Sequence, residues 1–192
     1  MKPTILEGDR VFVNKLAYDL KVPFTTWHIT QWSNPQRGDI VVFFSPKDGT
    51  RLVKRVIGLP GDTVELRNEQ LVINGQPVDY AAPDPDMAAQ VSGPERERGI
   101  FATEKLSTGS HAVMAINGVP AMRTFPPIQV PTDHYFMMGD NRDNSFDSRY
   151  FGPVARDQIV GRATSVVLSL NKENHWLPRW NRTCSSLESS GK

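Results

Sequence analysis

Arg51-Leu52-Val53-Lys54-Arg55-Val56-Ile57, continued by Gly58-Leu59-Pro60-Gly61-Asp62, sets the reading of the whole chain. The first part predicts a strand and the second a tight turn. Alternation along a strand puts Leu52, Lys54 and Val56 on one face, and Arg51, Val53, Arg55 and Ile57 on the other. Lys54 therefore has an apolar neighbour on each side. On a buried face its ammonium loses hydration, and its pKa falls from the ordinary ~10.4. Reaching about 8 takes roughly 3 kcal/mol, at about 1.4 kcal/mol per unit, which burial can supply. Lys54 would then serve as a general base. The competing reading is an edge-strand lysine whose stem covers apolar surface while its charge stays wet. The strand alone leaves both open.

Outward from this strand the chain is mostly β. Residues 10–15 read as a short strand, and 40–44 form a continuous apolar run of strand length, read as buried. Residues 63–66 continue as a strand. Residues 71–78 and 114–121 each carry Asn-Gly between apolar runs, a hairpin signal because both turn positions need positive φ. Between them, 81–99 is rich in Pro, Asp, Glu and Arg and reads as an exposed loop. Residues 135–138 read as a short buried strand, and 159–163 and 165–170 as closing strands. The expected organisation is a catalytic core in two parts, 1–66 and 131–170, interrupted by an inserted β subdomain over 67–130. A polar tail over 171–192 follows, disordered from Ser185. Residues 21–35 read as a loop whose Phe24, Trp27, Ile29 and Trp32 suit either a membrane interface or packing on the sheet.

The 192 residues hold 22 basic and 21 acidic side chains, a balance that argues against nucleic acid as partner. Fifteen prolines and 14 glycines fit a chain of many turns. Cys184 is alone, so no intrachain disulfide can form. His28, His111, His134 and His175 are scattered without metal-ligand spacing. No run is apolar for long enough to span a bilayer.

The densest polar motif is Gly139-Asp140-Asn141-Arg142-Asp143-Asn144-Ser145-Phe146-Asp147-Ser148-Arg149. A calcium loop fails on spacing. Starting at Asp140 puts Arg142 at a ligand position, and starting at Asp143 puts Ser148 where Gly belongs. A structural corner is a sound alternative, because Asx-turns and Asp–Arg pairs stitch loops together. A third reading has Ser145 hydrogen-bond the Lys54 amine and orient it. Spacing alone does not bring the two together.

These residues resemble bacterial type I signal peptidase (leader peptidase), the membrane-bound serine protease that removes signal peptides from exported proteins. Four blocks carry the likeness: Met1-Lys2-Pro3-Thr4 with Gly8-Asp9; Gly38-Asp39-Ile40-Val41-Val42-Phe43; Lys54-Arg55-Val56-Ile57-Gly58-Leu59-Pro60-Gly61-Asp62; and Gly139 through Arg149. Gly161-Arg162-Ala163 is a fifth, weaker block. The resemblance implies a folded β-barrel core and a Ser–Lys dyad, a variant of the triad logic. It implies Lys54 as general base and Ser145 as its orienting hydroxyl. Asp147 and Arg149 become the supporting ion pair, and Asp140 and Asn144 structural positions around it. The substrate is expected as an added strand. Its small side chains would enter two shallow apolar pockets walled by Met1, Ile5, Val42 and Val53. No metal or cofactor is implied. Expected partners are preprotein signal peptides and the membrane lipid surface, at the outer (periplasmic) face of the bacterial inner membrane.

One departure stands out. The family's nucleophilic serine directly precedes its Met-x-Pro-Thr block, and here Met1 opens that block. The expectation is a chain truncated before the nucleophile and the membrane anchor, inactive as it stands. The alternative is a non-catalytic relative that binds signal peptides without cutting them. A self-cleaving Ser–Lys repressor peptidase finds no support, since no DNA-binding segment or basic patch is present.

Overall fold

The computed structural model describes residues 1–21, 28–172 and 174–187. The elements in order are β1 (Asp9–Asn14), β2 (Asp19–Lys21), β3 (His28–Gln31), β4 (Ile40–Phe44), β5 (Arg51–Gly58), β6 (Thr63–Arg67), β7 (Gln70–Ile73), β8 (Gln76–Pro77) and β9 (Asp79–Ala81). Two short helices follow, α1 (Pro85–Ala89) and α2 (Pro94–Arg98), then β10 (Gly99–Leu106), β11 (Gly109–Ile116), β12 (Phe125–Gln129) and β13 (His134–Met138). The chain continues with α3 (Ser148–Phe151), β14 (Val154–Ala155), β15 (Ile159–Asn171), β16 (Leu177–Pro178) and β17 (Ser185–Ser186). The class is mostly β, as expected.

The main sheet is antiparallel in the order β1-β15-β4-β5-β13-β14, with β16 and β17 also pairing with β15. The apolar run of β4 is continuous because both of its faces are buried. Val41 and Phe43 pack with Tyr18, Val56, Tyr135, Met137 and Ile159. Ile40, on the other face, packs with Ala163, Val166 and Leu187. The turn after β5 gets its shape from Pro60, whose φ is preset, and Gly61 at φ +87°, with Asp62 N donating to Leu59 O at 3.0 Å.

Two smaller sheets follow, β11-β10-β9 within the 67–130 stretch read as an insertion and β12-β6-β7-β8, which also takes in β6 (Thr63–Arg67) from the part read as core. Leu71 and Phe125 share one apolar cluster with Ile57, Leu66, Phe136 and Met138, so β7 and β12 pack into the same core as β5 and β13.

Several expectations need correction. Residues 21–35 are not all loop: β2 and β3 pair, Lys21 against His28. Ile29 and Trp32 are exposed, while Phe24 and Trp27 lie outside the described residues. Asn74-Gly75 does close the β7–β8 hairpin, with both residues at positive φ. Asn117-Gly118 ends β11 without a partner strand, because Pro120 lacks an N–H and the chain runs on irregularly to β12. The stretch 81–99 holds α1 and α2, each opened by a proline, and Val91 between them is buried. The two closing strands are one long strand, β15, kinked by bulges against β1 and β4. The tail is not all irregular: β16 and β17 lie on β15, and Leu187 closes an apolar cluster that sequence polarity hid, while residues 188–192 lie outside the described residues.

Candidate active site

Lys54 and Ser145 are 91 residues apart, and strand register brings them together. β13 pairs with the C-terminal half of β5, Phe136 opposite Gly58, Met137 opposite Val56 and Met138 opposite Arg55. Pairing stops there, and the polar motif leaves β13 beside the next residue of β5, which is Lys54. Lys54 Nζ donates to Ser145 Oγ at 2.7 Å. The lysine is 9% exposed. Burial is the largest influence on it and pushes its pKa below the ordinary value; Arg149 pushes the same way, and Asp147 and Asp140 oppose.

The loop is held from several sides. Asp147 accepts from Gly139 N at 3.0 Å, and from Arg149 Nε and Nη2, both at 2.8 Å. Ser145 thus receives a hydrogen from Lys54, in a loop that Asp147 ties to Gly139 and Arg149. Burial opposes ionisation of Asp147, but Arg149 and these donors hold its carboxyl below the usual range. Asp147 also caps α3 through Arg149 N. Met137 N donates to Ser148 Oγ at 2.9 Å, tying α3 back to β13.

Asp140 is 1% exposed and sits under a fork of Arg55, with Nε at 2.9 Å and Nη2 at 2.8 Å. Thr4 Oγ1 donates to it at 2.5 Å, linking the first turn of the chain to the loop. Arg55 alternates with Lys54 on β5, so its charge serves the opposite face. Strands β10 and β11, with Arg123, buttress the rest of the loop. Met114 N donates to Asp140 O at 2.8 Å, and Arg142 N to Met114 O at 2.7 Å. Asp143 accepts from Ile116 N at 2.8 Å and Arg123 Nη2 at 2.7 Å. Arg142 reaches fully buried Glu104 at 2.7 Å.

The N-terminal segment borders the same site. The Met1 amine is lowered from its ordinary pKa, first by burial and then by Lys54 and Lys2 against the pull of Asp140. Met1, Ile5 and Val53 pack against Ile40, Ala163, Val166 and Leu187. Val42 pairs with Val53 and is almost closed off, at 5% exposure. Asn144 is exposed, and only its backbone N–H, donated to Asn141 Oδ1 at 3.1 Å, ties it to the loop.

Sequence reasoning did not single out Gly139, Arg55 or Thr4 as site residues. Gly139 has no room for a side chain: a Cβ there would lie 2.7 Å from Ser145 Cβ and 3.6 Å from Lys54 Nζ. The sequence signal for Arg55 was an arginine inside an apolar strand, which must be paired if buried. No group of metal ligands occurs among the described residues, and no helix among them is long and apolar enough to cross a membrane.

Residues 1–168 match the family model described as signal peptidase, peptidase S26. A signal peptidase I of Buchnera aphidicola (subspecies Schizaphis graminum) is 34% identical over an alignment covering 92% of this chain and 68% of that protein. One from Pseudomonas fluorescens is 38% identical, over 88% of this chain and 62% of that protein. The chain thus spans about two thirds of the length of these relatives. A crystal structure of a signal peptidase I from Enterococcus faecalis V583 is 36% identical, with 68% of this chain and 97% of that one covered and a TM-score of 0.41.

Proposed function

The chain belongs to the signal peptidase family, peptidase S26, and on that premise we propose that it is the catalytic portion of an endopeptidase removing N-terminal signal peptides from exported preproteins. The observation that carries the reading is the 2.7 Å contact between a buried lysine and a serine hydroxyl. Lys54 is the general base, Ser145 fixes its lone pair, and the Asp147–Arg149 pair holds the loop that carries Ser145. The nucleophile is a serine joined to Met1 N; the packing of Met1 and Ile5 with Val53, next to Lys54 in β5, and the bond of Thr4 to Asp140 support it. The serine attacks the scissile carbonyl while neutral Lys54 takes its proton. The protonated lysine then passes the proton to the leaving amine. Water activated by Lys54 hydrolyses the acyl-enzyme.

The substrate lies as an added strand on β5. Residues 51–54 pair with β4 on one side, whereas β13 reaches only from Arg55 to Gly58. That leaves an open edge leading directly to Lys54. Small side chains of the peptide face Met1, Ile5 and Val53, with Val42 behind them. Work at the outer face of the bacterial inner membrane, next to lipid, goes with this reading.

The test has two parts. The N-terminal sequence of the native protein is read first, and a serine directly before Met1 is expected. Protein carrying that serine should then cleave a signal-peptide substrate, and Lys54→Met should abolish cleavage. Full activity in Lys54→Met, or a native start at Met1, would overturn the mechanism.

A further inference from the structure

Phe146 follows Ser145 in the chain, yet its ring is turned outward and is 41% exposed. It stacks on Tyr150 at 5.6 Å between centroids, and Tyr150 is 44% exposed. Phe146 also meets Phe151 edge-on at 5.3 Å, and Phe151 meets Phe43 at 6.3 Å. Phe43 pairs with Leu52 across β4 and β5, and Leu52 and Phe151 pack on the same apolar cluster. A row of apolar contacts therefore runs from Leu52 through the fully buried Phe43 and through Phe151 out to exposed Phe146 and Tyr150. Lys47, in the turn before β5, stands 4.9 Å over the Phe146 ring and bounds the outer end. Two large aromatic rings left half-open beside the dyad gain nothing for folding by that exposure. Burial against a ligand is what they have in reserve.

Strand alternation says which ligand group reaches them. In a peptide paired to the open edge of β5, successive side chains point to opposite faces. Those on the Val53 face meet Met1 and Ile5, where space is small. Those on the Leu52–Lys54 face meet the aromatic ledge. We propose that Phe146 and Tyr150 form a specificity site for a large apolar or aromatic side chain of the substrate, at the position that alternates with its small residues. Lys47 at the rim disfavours a basic side chain there. This inference rests on the signal-peptide reading above, and is continuous with the edge that reading uses.

The test uses binding, which needs no nucleophile. Two fluorescent signal-peptide segments are compared by polarisation, one with Phe and one with Gly between its two small residues. The expected result is a preference for Phe of about five- to tenfold in Kd, the range of an aromatic pair. Phe146→Ala should remove that preference while leaving the Gly peptide's Kd unchanged, and Tyr150→Ala should reduce it. Thermal unfolding confirms that each variant is folded, and Phe146→Leu, which keeps bulk, should retain part of the preference. Equal Kd for the two peptides, or a preference that survives Phe146→Ala, overturns the ledge and leaves the function standing. Failure of both peptides to bind overturns the function itself. Phe146→Ala weakening binding to anionic lipid vesicles, with peptide preference intact, would make the ledge a lipid contact and also overturn the proposal.

Discussion

Gly139→Ala asks whether the Lys54–Ser145 contact is set by the absence of one methyl group. The backbone at Gly139 is not in the left-handed region, so alanine strains nothing locally. Its Cβ, however, would stand 2.2 Å from Ser145 Oγ and 2.7 Å from Ser145 Cβ. Carbon atoms rest at about 3.5–4.0 Å, so Ser145 must retreat by about 0.8 Å. A retreat of that size stretches the present 2.7 Å bond from Lys54 Nζ to roughly 3.5 Å, beyond hydrogen-bond reach. Misplacing a catalytic group by about 1 Å costs on the order of 100-fold in rate, or about 2.7 kcal/mol in the barrier. Overpacking of the loop adds about 1–3 kcal/mol of lost stability. The assay is kcat/KM on a signal-peptide substrate, in protein with a serine joined ahead of Met1, beside urea unfolding. Ser145→Gly serves as the second arm of a double-mutant cycle. Removing the serine side chain removes the clash, so Gly139→Ala should cost less than about threefold on that background. Retention of activity within about threefold in Gly139→Ala alone would refute the reasoning. So would an equal loss on both backgrounds.

The pH profile of kcat/KM should rise through the pKa of Lys54, and that rise should fall below the ordinary ~10.4 of a free lysine because the ammonium is buried. A flat profile would remove Lys54 from the mechanism. Asp147→Asn should move the rise to lower pH: the variant loses a charge that raises the lysine's pKa and keeps Arg149, which lowers it. A rise shifted to higher pH would contradict that assignment. Arg142→Met leaves fully buried Glu104 without its main counter-charge, and should cost about 3–5 kcal/mol by denaturant titration at pH 7. Glu104 is held below the usual carboxylate range: burial opposes this, and Arg142 and His111 outweigh it. A depressed carboxyl stabilises above its unfolded pKa of about 4.3 and loses that contribution as pH falls. Glu104→Gln should therefore show a shallower loss of stability between pH 5 and lower pH, measured by the same titration; an unchanged slope would count against it.

Local and periodic features were legible in the chain. β4 is a run of apolar residues, and β5 alternates so that Lys54 lies between Leu52 and Val56. The turn at Pro60-Gly61 and the hairpin at Asn74-Gly75 need φ values that those residues supply. Chemistry fixed by residue type was legible too, since a lysine in an apolar strand and an Asp/Ser/Arg loop are unusual whatever surrounds them. The tertiary structure decided everything that depends on pairing between distant strands. Where β13 stops against β5 puts Ser145 rather than another polar residue at Lys54. The grip of β10 and β11 on the 139–149 loop runs through Met114, Ile116 and Glu104, ordinary strand residues in sequence. The tail reads as polar, yet it is held by Leu187 in the core and by Arg182, which donates to Thr4 O at 2.8 Å and Asp9 at 2.6 Å. The same limit applies to Gly139. A sequence states which side chain is missing, and only packing states what would occupy the space. Periodicity is a property of neighbours along the chain, whereas register and close approach are properties of neighbours in space.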